Sequence, residues 1–169
     1  MVLSLGTAIV GIIQLVIAII LAVVALYIGF SVLGKITKGI DEEKEIAKGN
    51  AAVGILVASV FIAIGIVVQS GVAGVSKGLS TALEAKELLS LEGIMPIVLS
   101  FAQLVLGIVL AIAAIYLALN ILDKLTKGID EFEELKKGNV AVALEMAGVI
   151  ITTAIIIQSG VMGISSALI

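Results

Sequence analysis

KITKGIDEEKEIAKGN at residues 35–50 returns as KLTKGIDEFEELKKGN at residues 124–139, identical at eleven of sixteen positions. The offset is 89 residues, and it holds without a gap far from this stretch: Gln14 falls on Gln103, Tyr27 on Tyr116, and Gln69-Ser70-Gly71 on Gln158-Ser159-Gly160. A shared apolar composition would not align polar residues over such distances, so the chain is a duplicated unit.

Working outward from the two copies, the flanks are almost free of charge. Residues 1–34, 49–76 and 93–122 carry no charged side chain, and residues 138–169 carry only Glu145. Each run exceeds the roughly 20 residues that cross about 30 Å of hydrocarbon. The runs lack the alternation of barrel strands, and in lipid every backbone group must be satisfied internally, so they predict four transmembrane helices. The composition agrees: 61% of the 169 residues are hydrophobic and 14% charged, with a mean hydropathy of +1.32, which excludes an ordinary soluble domain. The expected fold is an all-α membrane protein built from two helical hairpins, residues 1–80 and 93–169, joined by an extracytoplasmic linker helix at 81–92. Each unit crosses the membrane twice, so the repeats are parallel, related by an axis along the membrane normal.

The charges also predict orientation. The segments around the repeated motif hold four lysines each, against Lys77 and Lys86 in the middle segment, and the positive-inside rule then puts loops 35–49 and 124–138 in the cytoplasm and both termini outside. Met1 is followed by neither a basic region nor a cleavage pattern, so the first span is expected to be retained. Within the loops, Asp41 and Asp130 with the acids that follow them suit a helix N-terminus, and Gly49-Asn50 or Gly138-Asn139 can end a short helix. These helices are amphipathic: Ile40 and Ile46, or Ile129, Phe132 and Leu135, are expected to rest on the membrane surface. Thr81 to Glu84 fits a capping box that opens the linker helix.

Two sets of polar residues stand out inside the spans. Gln14, Gln69, Gln103 and Gln158 lie 19 residues from the charged ends of their helices, either as a boundary layer at the headgroups or as a ring of amides joining helices. Glu145 is the ionisable residue of the spans, and its counterpart in the first copy is Leu56. Tyr27 and Tyr116 share its depth, and Thr152 follows two turns along a stripe with Gly148, Ser159 and Ser166, which predicts a face turned to other helices or water. Glu145, Tyr27, Tyr116 and Thr152 are thus the candidate proton or cation site, with a carboxyl bonded to a tyrosine as the plainer alternative. Small-residue stripes on the first and third spans suit helix packing, in one bundle or between subunits of a homo-oligomer.

With no Cys and no His, disulfides, the usual zinc and haem sites and the common nucleophile–base pairs are ruled out, and no metal or cofactor is expected. Nothing suggests nucleic acid. The segments Asp123 to Glu131, Lys137-Gly-Asn-Val-Ala-Val142 and Ile155-Ile-Ile-Gln-Ser-Gly160, each echoed in the first half, resemble the prokaryotic inner-membrane family called domain of unknown function 350, the YjfL-like proteins. The resemblance implies a multi-pass protein of the prokaryotic cell membrane and brings no catalytic motif. The expected function is therefore a nonenzymatic helical oligomer in the lipid bilayer that passes or senses ions through Glu145. The alternatives are a membrane scaffold recruiting a cytoplasmic protein through loops 35–49 and 124–138, and, more remotely, a rotary-ATPase-like proteolipid.

Overall fold

The computed structural model describes residues 5–37, 39–84, 91–126 and 128–168. In chain order the helices are α1 (Leu5–Ile36), α2 (Glu42–Ala47), α3 (Ala51–Glu84), α4 (Leu91–Leu125), α5 (Glu131–Lys136) and α6 (Val140–Leu168), with no strand among the described residues. The four charge-poor runs become the four long helices, each long and apolar enough to cross a membrane. The shortest, α6, has 29 residues, about 44 Å at about 1.5 Å per residue, so all four must tilt or project beyond a hydrocarbon layer of about 30 Å. The expected linker helix at 81–92 falls largely on residues 85–90, which lie outside the described residues. Thr81 to Glu84 continue α3, and Leu91 and Glu92 already belong to α4. Nothing in Thr81-Ala-Leu-Glu84 breaks a helix, so the capping pattern is read through.

Each copy of the repeated motif folds into the same elbow. Gly39 and Gly128 turn the chain at φ of 84° and 100°, a conformation that costs glycine little. Asp41 then caps α2 by accepting from the backbone N–H of Lys44 at 3.1 Å, and Asp130 caps α5 by accepting from that of Glu133 at 3.0 Å. Gly49 and Gly138, both at φ 82°, end the short helices. Asn50 and Asn139 open the next long helices, each Oδ1 accepting from two backbone N–H groups, Ala52 and Val53 or Ala141 and Val142, at 3.1–3.4 Å. A side chain capping two orphan donors fixes where α3 and α6 begin.

The two copies fold alike but pack differently. α3 lies in the middle, against α6, α4 and α1, whereas α1 rests mainly on α3 and makes only a small contact with α4. Leu56, Ser59, Ala63 and Val67 of α3 are buried on one side and Ala52, Val53 and Val68 on others. α6 buries a single stripe, Ala143, Met146, Ile150, Ala154 and Val161. Between lipid-exposed helices there is no water to expel, so close van der Waals packing holds them together. Gly71 shows how close: a Cβ built on it would stand 2.1 Å from Cδ1 of Leu104 on α4. Near the elbows, α1, α3 and α4 leave a small carbon-lined cavity of about 30 Å³ bordered by Gly29, Leu33, Val60, Ile64, Ile115 and Leu119.

The elbows correct the expected membrane-surface role of their apolar residues. Ile40, Phe132 and Leu135 are buried in the end of the bundle, and only Ile46 and Ile129 are exposed. α5 packs on α3 as well as on α6, while α2 packs on α3 alone, so the apolar side of α5 has a neighbour that α2 lacks.

Candidate functional site

Glu145 is the sixth residue of α6, about 9 Å along the helix from its start. Its side chain is exposed, as are Gly148, Thr152 and Ser159, so the stripe read from the sequence is one face of the helix, turned outward. Leu144, Glu145, Gly148, Val149, Thr152 and Thr153 line a single shallow groove there. Gly148 forms its floor, with nothing within 4 Å of the position a Cβ would take. Thr153 donates to Val149 O at 2.7 Å within its own helix, which leaves its oxygen free to accept as well. The groove thus brings one carboxylate and two hydroxyls to a surface that is otherwise apolar.

The tyrosines are not part of this groove. Tyr27 is 75% exposed and Tyr116 48%, and among the described residues neither donates to Glu145. Glu145 and Thr152 are brought together by the structure; the tyrosines share only their depth. The glutamines likewise share a register but not a face. Gln69 and Gln158 are each the nineteenth residue of their helices. Yet Gln69 is exposed, Gln158 half-buried and Gln103 buried beside Gly107 and Val161, while the side chain of Gln14 lies outside the described residues. Among the described residues the glutamines form no ring of amides within one chain.

A second pair of carboxyl groups was not singled out from the sequence. Glu42 and Glu131, the first residues of α2 and α5, are buried, Glu131 to 1% exposure. Thr37 Oγ1 meets Glu42 Oε1, and Thr126 Oγ1 meets Glu131 Oε1. Each threonine also bonds back to the carbonyl four residues earlier, Leu33 O at 2.9 Å and Leu122 O at 2.8 Å. One hydroxyl hydrogen stands between two acceptors and can serve one at a time. Glu131 Oε2 is buried with no hydrogen-bond partner among the described residues. The available signal was the T-x-x-x-x-E spacing, which both copies share inside a loop that otherwise looks solvated.

Two further elbow carboxylates, Glu45 and Glu134, are half-buried and paired. Glu45 accepts from Lys48 at 2.7 Å and Asn50 at 3.1 Å, and these bonds hold its carboxyl below the usual glutamate range. Glu134 is lowered by Asn139 at 2.7 Å and then by Lys137 at 2.8 Å, and Glu134 in turn raises the Lys137 ammonium. Across the repeats the symmetry breaks: Asn50 Nδ2 also donates to Leu135 O at 2.9 Å, tying the start of α3 to the end of α5, whereas the amide of Asn139 reaches only its own Glu134. Among the described residues no group of three or more acidic side chains is placed to hold a metal ion.

The family described as Domain of Unknown Function (DUF350) matches residues 6–106 and again 93–169. Comparison with curated proteins and with solved structures finds no match. The chain belongs to the DUF350 family, in two tandem copies.

Proposed function

We propose that this two-copy member of the DUF350 family is a nonenzymatic membrane protein that binds a proton or a cation at Glu145 and passes it across the bilayer or senses it. The observation that carries the reading is the groove on α6, where Glu145 lies with Thr152 and Thr153 on an outward-facing side of the bundle. A charged side chain costs up to about 2.5–3.5 kcal/mol at the bilayer centre and less towards its edge, so a carboxyl kept there calls for a compensating ligand, water or protein partner. The lysine excess supports an orientation with both elbows in the cytoplasm. Recruitment of partners through loops 35–49 and 124–138 has less support, because Ile40, Phe132 and Leu135 of those loops are buried in the bundle.

The test is flux into liposomes. Purified parent and Glu145→Gln proteins are reconstituted with an internal pH dye or a cation indicator. The parent should show flux and Glu145→Gln should lose it, with an unchanged helical circular dichroism spectrum. Equal flux from the two proteins, or none from the parent, would sink the reading. Orientation is checked in the same chain, which has no cysteine of its own: on whole cells an impermeant thiol reagent should label Lys86→Cys and spare Lys44→Cys.

A further inference from the structure

The 89-residue offset makes every contact between the two copies a template. Where the second copy sits on the first, α6, α4 and α5 all cover α3; of the corresponding cover for α6, the chain supplies neither an α1 nor an α2, with which α6 makes at most marginal contact. We infer that the outward face of α6 is the docking surface for α1 and α2 of a second copy of this chain, arranged head to tail as the second repeat is on the first.

Four independent places on that face carry the mark. Along the helix, Leu56, Ser59, Val60, Ala63 and Ile64 of α3 are all buried, while their counterparts Glu145, Gly148, Val149, Thr152 and Thr153 line the open groove. Towards the far end, Gly71 receives Leu104 so closely that no side chain would fit. Its counterpart Gly160 has nothing within 4 Å, and Leu15, the counterpart of Leu104, is 59% exposed. At the elbow, Asn50 donates to Leu135 O; the matching acceptor for Asn139 is Ile46 O, which belongs to the first elbow and is not reached within the chain. Leu135 is fully buried under α3, and its counterpart Ile46 is exposed. Donor and hole on the second copy, acceptor and knob on the first, are left over within the same molecule. This is the condition for a heterologous contact between copies.

Lipid is the other cover such a face could have. It suits Leu15, Ile19 and Val23 of α1, but it offers nothing to the carboxyl and hydroxyls of Glu145, Thr152 and Thr153 and leaves the Gly148 and Gly160 hollows to flexible tails. A second copy matches both sides at once. The docked copy would also shelter Glu145 from the acyl chains, so the inference deepens the proposed ion-binding reading and places its site at a subunit contact.

Cysteine pairs in native membranes test it. Val67 and Ile108 border the same cavity between α3 and α4; their counterparts are Ile156 and Ile19, both exposed and so tolerant of substitution. Mild oxidation of Ile19→Cys/Ile156→Cys should give covalent dimers and higher multimers, while Ile156→Cys alone and Ile19→Cys alone stay monomeric. Absence of cross-linking in the pair would overturn the inference in favour of lipid. Equal cross-linking by Ile156→Cys alone would overturn it in favour of a symmetric, face-to-face contact. Adding Glu145→Gln separates this inference from the functional reading. Cross-linking with unchanged flux removes the ion-binding role and keeps the interface; lost flux without cross-linking removes the interface and keeps the role.

Discussion

Removing the capping amide at the two equivalent elbows should have unequal consequences. Asn50→Ala and Asn139→Ala each remove an N-cap, worth about 1 kcal/mol, together with a part-buried bond to Glu45 or Glu134 that is lost alike at both positions and leaves their difference unchanged. Only Asn50 also loses the 2.9 Å bond to Leu135 O, a further contribution of about 1 kcal/mol. The carbonyl is not orphaned, because Gly138 N still donates to it at 3.0 Å, so no unsatisfied-acceptor penalty adds to this. The expected losses are about 2 kcal/mol for Asn50→Ala and about 1 kcal/mol for Asn139→Ala, a roughly fivefold difference in the unfolding equilibrium. Serine sharpens the comparison: it keeps a capping oxygen but is too short to cross to α5. Asn139→Ser should be nearly neutral, and Asn50→Ser should cost about 1 kcal/mol. The assay is reversible unfolding by circular dichroism in mixed micelles, using a detergent that keeps the chain monomeric. Equal losses at the two positions in that monomer would refute the claim that the α3–α5 bond contributes to stability.

Gly71→Ala should lower the stability of the monomer by about 1–3 kcal/mol through overpacking against Leu104, and Gly160→Ala should leave it within about 0.5 kcal/mol, as read by the same unfolding transition. Thr126→Val keeps the shape of the side chain but leaves Glu131 without its hydroxyl partner in a buried site. It should cost about 1–3 kcal/mol, with Thr126→Ser restoring most of the loss. For Glu45 and Glu134 the pH dependence follows from the direction of their shifts. A carboxyl held below its ordinary value of 4.5 adds stability that is complete above that value and is lost as pH falls through the lowered one. The melting temperature of Glu45→Gln/Glu134→Gln should therefore lie below the parent's at pH 7 and converge with it as the pH falls below about 4.

Charge-free runs and the repeated motif make the four spans and both elbows legible, because backbone satisfaction in lipid and helix capping are decided locally: Asp41, Gly49 and Asn50 do in the fold what their residue types suggest. The boundaries of the spans are less legible. Thr81 to Glu84 has the residues of a cap, yet α3 runs through it, since a capping box stops nothing when the preceding residues are already helical. Burial in the elbows is the larger gap. Glu131 and Glu133 lie two residues apart in one short helix; the first is enclosed and the second exposed, and what separates them is the approach of the α4 end through Thr126. Ile46 and Leu135 occupy the same place in their copies and differ because Leu135 is enclosed against α3, whereas Ile46 is left exposed among the described residues. Two halves built on the same motif cannot announce which will be central. The candidate site was legible as far as the Glu145–Thr152 stripe, a matter of helical period, and not as far as the tyrosines, whose depth says nothing about the direction in which they point.

The central position of α3 also bears on how a duplicated gene can diverge. A polar side chain at position 56, 63 or 64 would sit among α1, α4 and α6 and destabilise the only arrangement that lets the chain fold, so Leu56, Ala63 and Ile64 answer to the integrity of the molecule. The same three positions in the second copy hold Glu145, Thr152 and Thr153, on a face the folded chain does not itself fill. Duplication thus gives the chain a second helix of the same architecture with one side released from folding duty, where an acid is tolerated that the buried equivalent position would not accept.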